Sequence, residues 1–353
     1  MTAGDGEISH RRTGVKTDLK ELARQLGLSQ TTVSRVLTGS AKEYRISTET
    51  QQRVLAAAAK LNYKANALAR SLRSKRSKTV GVMVPEISEG YSTAVLGGIE
   101  EVLLLSGFFY FVVSHRHRTD LLREYPSLLL SRAVEGIIAI DSPLEEDLPI
   151  PVVAVSDHHR RPLVINIELD HMLAARYALE HLKRLGHREI AFIKGQSFSS
   201  DTLARWRAIC RAASDLRIEI NPRLVTQLED HGLGTDPGRT ATVKLLERGV
   251  HFTAIFAFND LAAIGAITVL HEAGIQVPTQ VSVVGFDDIL SAATNNPPLT
   301  TVKQPMREMG RAAASTLLQM IQSEKHEWPK HPIRVLPAFV ERQSTAEAPH
   351  AYR

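Results

Sequence analysis

Residues 17–37 read TDLKELARQLGLSQTTVSRVL, and this stretch decides how the head of the chain folds. Asp18 followed by Glu21 has the form of a helix capping box, with Asp in the role of the usual hydroxyl residue. Leu19, Leu22, Ala23 and Leu26 recur at helical spacing and give one apolar face. Gly27 stands where a helix needs a left-handed terminus, Leu28 can lie in the angle between two helices, and Ser29 is a good cap for a second helix, Gln30 to Leu37. On that helix Val33, Val36 and Leu37 face inward, which leaves Gln30, Thr31, Thr32, Ser34 and Arg35 for the outer face. Glutamine can pair bidentately with adenine and arginine with guanine, while hydroxyls reach phosphates or bases, so this face fits the major groove of DNA. A third helix starts at Ser47, with Val54, Leu55, Ala58 and Leu61 as its buried stripe. The expectation is an N-terminal all-α helix-turn-helix domain. The competing reading is an ordinary helical hairpin in a larger core, against which cap, glycine, second cap and polar face all fall in register.

Charge points the same way. Residues 1–78 hold 16 Lys and Arg against 6 Asp and Glu; the remainder holds 27 against 32. A basic head on a mildly acidic body suggests nucleic-acid binding by the head, although charge alone also suits a solvated basic tail. The single cysteine, Cys210, leaves no intrachain disulfide to form. The polar start MTAGDGEISHRRTG has no apolar signal-peptide core, and no run of about 18 apolar residues occurs, so a soluble cytoplasmic protein without membrane contact is expected.

After the head come NALARSL (66–72) and RSKRSK, a short Ala/Leu/Arg helix leading into a basic linker. Seven residues do not hold a helix alone in water, so this one needs a partner. From Thr79 onward short apolar strands alternate with amphipathic helices. The strands are TVGVMV (79–84), FFYFVV (108–113), GIIAI (136–140), PVVAV (151–155), EIAFI (189–193), TAIFAF (253–258) and VSVVGF (281–286). The helices are 94–105, 171–185, 204–214, 238–248, 261–273 and 306–321. This pattern implies an α/β body of two doubly wound parallel sheets, with ligand binding at the C-terminal ends of the strands.

LGLSQTTVSRVLTG followed by LNYKANALARSLRSKRSKTVGVMVP closely resembles the lactose/galactose-repressor (LacI/GalR) family of bacterial transcription regulators, over about residues 17–345. TGSAKEYRIS is a few residues longer than the usual loop before Ser47, as in the fructose-regulator branch, and Lys42 and Arg45 could add backbone contacts. The resemblance implies a periplasmic-binding-protein-like, two-lobed effector domain. It divides the chain into a helix-turn-helix domain at 15–62, a hinge and linker at 63–78, and an effector-binding and dimerisation body at 79–345. The first lobe takes about 79–168 and 305–328, the second about 169–302 and 330–345. It also implies that the hinge helices of a dimer pair on DNA, with Leu72 wedged into the minor groove beside Asn66, Ala69 and Arg70. On the residues alone, Leu72 could equally pack on the body.

For the effector the residues offer Arg207 in LARWRA, Asn259 and Asp260 after strand TAIFAF, Asp287 and Asp288 after strand VSVVGF, and Gln304 at the last crossover. One cation, amides and carboxylates suit the hydroxyls of a sugar or sugar derivative. In relatives the positions matching Arg207, Asn259 and Asp287 contact the effector. Asn259-Asp260 also suits a helix cap, and Asp287-Asp288 a loop brace. The first lobe departs from the family: PEISEGYS puts Glu89 and Tyr91 at the cleft, and PVVAVSDHH puts Ser156 where an acid is usual, with Asp157 one place later. SHRHR (114–118) could turn His115, Arg116 and His117 toward an acidic or phosphorylated ligand, or leave them as solvated loop residues.

No HExxH, GxSxG, Walker A or CxxC occurs, and His115/His117 and His158/His159 bring no further ligands at metal spacing, so neither catalysis, metal nor cofactor is expected. The tail TAEAPHAYR lacks leucine heptads, which favours a homodimer over a coiled-coil tetramer. The expected function is a dimeric repressor of a palindromic operator, controlled by a small effector between the lobes. The alternative keeps DNA binding and makes the body a docking surface for a protein co-regulator. A sugar-transport protein is disfavoured by the basic head and the polar start.

Overall fold

The computed structural model describes residues 18–37, 39–61, 76–87, 90–157, 161, 163–229, 232, 234–323 and 331–349. The chain divides into two compact units, Met1–Ser77 and Lys78–Arg353.

The first unit holds α1 (Leu19–Leu26), α2 (Gln30–Leu37) and α3 (Thr48–Lys60). Asp18 caps α1 by accepting from the Glu21 amide at 2.7 Å. Gly27, at φ 67°, ends that helix in the left-handed region where only glycine goes without strain. Ser29 accepts from the Thr32 amide at 3.0 Å and opens α2. Ser47 accepts from the Thr50 amide at 3.3 Å and opens α3. The core is Leu22, Ala23, Val33, Val36, Ala41, Val54 and Ala58. Leu55 was expected in it but is 53% exposed, because Val54 and Ala58, four apart, already define the inward stripe of α3. Ala41, from the long loop between α2 and α3, fills the core instead.

The second unit is built on two six-stranded sheets. The first is ordered β11-β5-β4-β3-β1-β2, from β1 (Thr79–Val84), β2 (Phe109–Ser114), β3 (Gly136–Ile140), β4 (Val152–Val155), β5 (Val164–Leu169) and β11 (Ile333–Val335). All its pairings are parallel. Helices α4 (Gly90–Leu105), α5 (Thr119–Ser131) and, late in the chain, α11 (Met306–Gln322) flank it. The second sheet is ordered β12-β10-β9-β8-β6-β7, from β6 (Ile190–Lys194), β7 (Val225–Gln227), β8 (Ala254–Ala257), β9 (Ser282–Asp287), β10 (Thr300–Lys303) and β12 (Ala338–Val340). Its helices are α6 (His171–Arg184), α7 (Ser200–Asp215), α8 (Asp236–Glu247), α9 (Asp260–Glu272) and α10 (Leu290–Thr294). It is parallel except that β12 runs antiparallel to β10.

Side chains on neighbouring positions of each strand enter opposite layers, as the strand period requires. Val80, Val82 and Val84 of β1 meet Val95 and Ile99 of α4 and Met309 and Ala313 of α11, whereas Met83 meets Leu129 on the other face. In β9, Val283 joins one core of the second lobe and Val284 and Phe286 the other. Both faces of both sheets are thus covered, as parallel sheets need.

One boundary is corrected. Residues 330–345 were expected wholly in the second lobe, but β11 pairs with β5 of the first sheet and only β12 lies in the second. The last crossing therefore falls between Val335 and Ala338. Beyond it the chain is held to the second lobe by Ser344, whose hydroxyl donates to Val283 at 2.6 Å, and by the Ala348 amide, which donates to Leu185 at 2.8 Å.

Candidate functional site

Two sets of residues were expected to act. The first lies on α2. Gln30 and Thr31 are exposed, and Thr32, Ser34 and Arg35 are half-buried. Thr32 also serves the fold, since its hydroxyl lies 2.9 Å from that of Ser29 within the cap. The Arg35 guanidinium stands 3.5 Å above the ring of Tyr44, an exposed residue of the long loop. Sequence reasoning passed over Tyr44; the signal was an aromatic residue set between Lys42 and Arg45 in a loop of unusual length. Asn66, Ala69 and Leu72 lie outside the described residues, as does Glu89.

The second set surrounds a cleft of about 150 Å³ between the two sheets of the second unit. Strand ends supply its polar groups. β3, β4 and β9 each run into a residue with left-handed backbone: Asp141 (φ 40°), Ser156 (φ 59°) and Asp287 (φ 115°). Residues other than glycine rarely adopt this conformation, and those that do cluster at ligand sites.

The structure brings together five of the six residues expected at the effector. Tyr91, Asn259, Asp287 and Gln304 line the cleft. Ser156 stands behind Tyr91, with 2.6 Å between their hydroxyls. Asn259 is also the cap of α9, its Oδ1 accepting from the Ala262 amide at 2.8 Å. Gln304 is 2% exposed; its Nε2 donates to Asp287 at 2.6 Å, and its buried Oε1 has no partner. Asp260 and Asp288 brace the fold instead. Asp260 accepts from Thr301 at 2.6 Å and from the Ile289 amide at 2.9 Å, and Asp288 accepts from Arg342 at 2.6 Å.

Arg207 is the correction: it is exposed, and the arginine in the cleft is Arg205. On α7 the buried residues Asp201, Arg205 and Ile209 recur every four positions, while Arg207 turns about 200° away from Arg205. Arg205 donates through Nη1 to the Phe258 carbonyl and through Nη2 to Asp201 at 3.2 Å. Its guanidinium lies 3.6 Å over Phe286 and 4.3 Å over Phe258. His171 closes the cluster, 3.1 Å from Asp201.

Sequence reasoning also missed Asp141, an acid directly after an apolar strand and so of the same signature that marked Asp287. It accepts from Ser199 at 3.0 Å and from Ser200 at 3.4 Å, across the cleft from the first lobe to the second. A second crossing contact stacks His117 on Phe198, ring centroids 3.7 Å apart. Burial raises the carboxyl of Asp287 to about 8, against the opposing pull of Arg205. Burial, reinforced by Asp201, raises that of Asp141 to about 7.

The two readings left open for SHRHR resolve residue by residue. His115 is 1% exposed, and burial lowers it to about 4, so it is neutral near pH 7. Its Nδ1 accepts from the His117 amide at 3.1 Å, leaving Nε2 to donate to Ser142 at 2.9 Å. Arg116 is exposed at the rim, 3.9 Å from Glu86. His117 alone of the three lines the cleft. Among the described residues no group of three or more His, Cys, Asp or Glu could hold a metal ion, and no helix is long and apolar enough to cross a membrane.

A model of bacterial regulatory proteins, lacI family, matches residues 18–66, and a periplasmic binding protein-like domain matches 179–345. The HTH-type transcriptional repressor PurR of Aliivibrio fischeri (strain MJ11) is 30% identical over 338 residues, 92% of this chain and 97% of its own. The lac repressor dimer bound to operator and the anti-inducer ONPF is similar at a TM-score of 0.84 and 27% identity, covering 94% of this chain and all of that one. A LacI family regulator from Enterococcus faecium with bound ribose is similar at a TM-score of 0.67 and 27% identity, covering 76% of this chain and 99% of its own.

Proposed function

The chain belongs to the lacI family of bacterial regulatory proteins, sequence-specific DNA-binding transcription regulators and not enzymes, and on that premise we propose that it is a dimeric repressor whose hold on a palindromic operator is set by a small sugar-like effector in the cleft. The domains follow the division 15–62 for DNA, 63–78 for the hinge and 79–345 for the effector. Gln30, Thr31, Thr32, Ser34 and Arg35 meet the operator from α2, and Asn66, Ala69 and Leu72 meet it from the hinge. Tyr91, Ser156 (through Tyr91), Asn259, Asp287 and Gln304 serve the effector, with Arg205 in the place expected of Arg207.

The observation that carries this is the cleft. Polar groups from both lobes converge there, and one of them, Gln304 Oε1, is buried without a partner. A buried acceptor left unpaired costs about 1–3 kcal/mol, which a ligand's hydroxyl would recover. Contacts spanning the two lobes make the ligand's binding energy depend on lobe closure, and a coupling of about 1–3 kcal/mol changes operator affinity roughly 5–150-fold. The dimer is supported by an apolar patch at the end of α4 and along β2, the edge strand of the first sheet. Leu105 there is 90% exposed and Phe109 62%. A patch of this kind needs a partner, and a second copy supplies it symmetrically.

The test is footprinting on genomic fragments selected by the protein. Arg35→Ala is expected to abolish specific protection, and Asp287→Ala to abolish the thermal shift given by an effector while leaving the footprint. Protection retained by Arg35→Ala would remove α2 as the reading element; a retained thermal shift would remove the cleft as the effector site.

A further inference from the structure

The charge inside the cleft is one-sided. Asp141, Asp201, Asp287 and the half-buried Glu86 line it, and the only arginine or lysine among its described lining residues is Arg205. That guanidinium is already engaged: Asp201 takes one nitrogen, the Phe258 carbonyl another, and two aromatic rings cover its faces. Its charge is therefore shared between Asp201, at 3.2 Å, and Asp287, whose carboxyl it pulls down against burial. Asp287 and Asp141, by contrast, hydrogen-bond with neutral groups, namely Gln304, Ser199 and Ser200. His115, a candidate cation on the sequence, is buried against Ser142. Arg116 points to the rim, beside Glu86, and His117, which does line the cleft, has its ring stacked on Phe198.

Two buried valences among the cleft's described residues have no partner, the donor Arg205 Nε and the acceptor Gln304 Oε1. Gln304 is 2% exposed, its amide nitrogen is spent on Asp287, and its Oε1 has no partner. A ligand here brings a donor to Gln304 Oε1 and an acceptor to Arg205 Nε. A neutral polyol leaves Asp287 and Asp141 with the protons that burial keeps on them, whereas an ammonium group supplies the counter-charge that lets them ionise, and a phosphate or carboxylate adds a like charge whenever they do.

We infer that the effector is a small polyol carrying a protonated amine, an amino sugar in its simplest form, whose ammonium group lies against Asp287 or Asp141 while its hydroxyls donate to Gln304 Oε1 and its neighbours. The inference deepens the reading of the cleft as the effector site and rests on it. It also excludes the phosphorylated ligand that SHRHR suggested. Charge-assisted hydrogen bonds are about twice as strong as neutral ones, so the amine would dominate selectivity.

The experiment uses the full chain and matched hexoses in gluco, galacto and manno forms. For each, the neutral sugar, its 2-amino-2-deoxy form and its 6-phosphate are compared by thermal shift and calorimetric titration. At least one amino sugar is expected to bind, roughly tenfold or more tighter than its neutral counterpart. No 6-phosphate is expected to bind. Asp287→Asn or Asp141→Asn is expected to erase the preference; the two are tested separately, so that a folding defect in one leaves the other. Equal or tighter binding of a neutral sugar, binding of a phosphate, or binding of no amino sugar would overturn the inference. Gln304→Ala separates this failure from failure of the site. A neutral sugar or phosphate whose binding is lost in Gln304→Ala keeps the cleft and removes the amine. Binding untouched by Gln304→Ala, Asp287→Asn and Asp141→Asn alike removes the cleft as well.

Discussion

Arg205 and Arg207 are two residues apart and belong to different environments. Arg205 is buried with Asp201 at 3.2 Å, and the two side chains are 4% and 8% exposed. Removing one partner of such a pair strands the other charge out of water, at about 3–5 kcal/mol. Arg205→Ala is therefore expected to lower the melting temperature of the body by roughly 6–20 °C, taking about 2–4 °C per kcal/mol for a unit of this size. Arg207→Ala, exposed on the same helix, is expected to change stability by no more than about 0.5 kcal/mol. Differential scanning calorimetry of the two variants checks the assignment; similar losses in both would contradict it. The distinction was legible in principle, since Asp201, Arg205 and Ile209 fall at successive turns of one helix face. The family pattern pointed to Arg207, and periodicity is the better guide to which arginine turns inward. Asp141 was passed over for a different reason. It stands one place after a fully apolar strand, as Asp287 does, but its neighbour is Ser142 and not a second amide or carboxylate of the kind that marked Asn259-Asp260 and Asp287-Asp288.

At the scale of elements, the readable parts were those whose physics is local. The three head helices carried caps and a glycine terminus, and β1, β3, β8 and β9 were short apolar runs. Elements whose pattern is broken were missed. Helix α5 contains Pro126, which removes a backbone donor and crowds the preceding turn, yet the helix persists with Pro126 itself buried. Strand β5 carries Asn166 and Glu168 among its apolar residues and does not read as a continuous buried run. β11 and β12 are three residues each, and only pairing with distant strands reveals which lobe each joins. The contact between α4 and α11 is likewise invisible in sequence, although it joins the two chain segments of the first lobe. A Cβ on Gly98 would collide with the Arg307 carbonyl, and one on Gly310 with that of Val95, so the helices cross backbone to backbone. Gly97, one place before, has room: an added Cβ would make ordinary contact with the Arg307 side chain, whose Nη2 is nearest at 3.7 Å. Gly98→Ala is expected to destabilise the body by about 1–3 kcal/mol through overpacking. Gly97→Ala is expected to be neutral or stabilising by up to about 1 kcal/mol, through lost unfolded-state entropy and better helix propensity. Urea melts of the pair decide it; equal effects would mean that the helices do not cross at Gly98.

For the whole molecule, the cleft ties folding, lobe closure and pH together, because its carboxyls are desolvated by contacts from both lobes. Asp287 is raised to about 8 and Asp141 to about 7, each chiefly by burial, and Asp260, which braces the second lobe outside the cleft, is raised to about 7 in the same way. An unfolded aspartate titrates near 3.9. Between these limits the folded body holds protons that the unfolded chain has released, so stability falls as pH rises. The buried histidines act with the opposite sign. His115 is lowered to about 4, and His181 and His187 also lie below their ordinary value, all through burial. As pH falls below about 6.5 the unfolded chain binds protons that these rings refuse, and stability falls in that direction. The two effects oppose each other from about pH 4 to 6.5, and above that the carboxyls act alone. The melting temperature of the unliganded body is therefore expected to decline from pH 6.5 to 8 and to flatten beyond it, with a slope of at most about 1.4 kcal/mol per pH unit from each carboxyl. Asp287→Asn removes the highest of these titrations and is expected to make the decline shallower up to pH 8 and, by removing one opposing slope, to steepen the rise of stability with pH between about pH 4 and 6.5. Calorimetry at half-unit steps reads both. A melting temperature that is flat or rising from pH 6.5 to 8 in the wild type would show that the cleft carboxyls ionise as they would in water. Closure of the lobes would then not desolvate them.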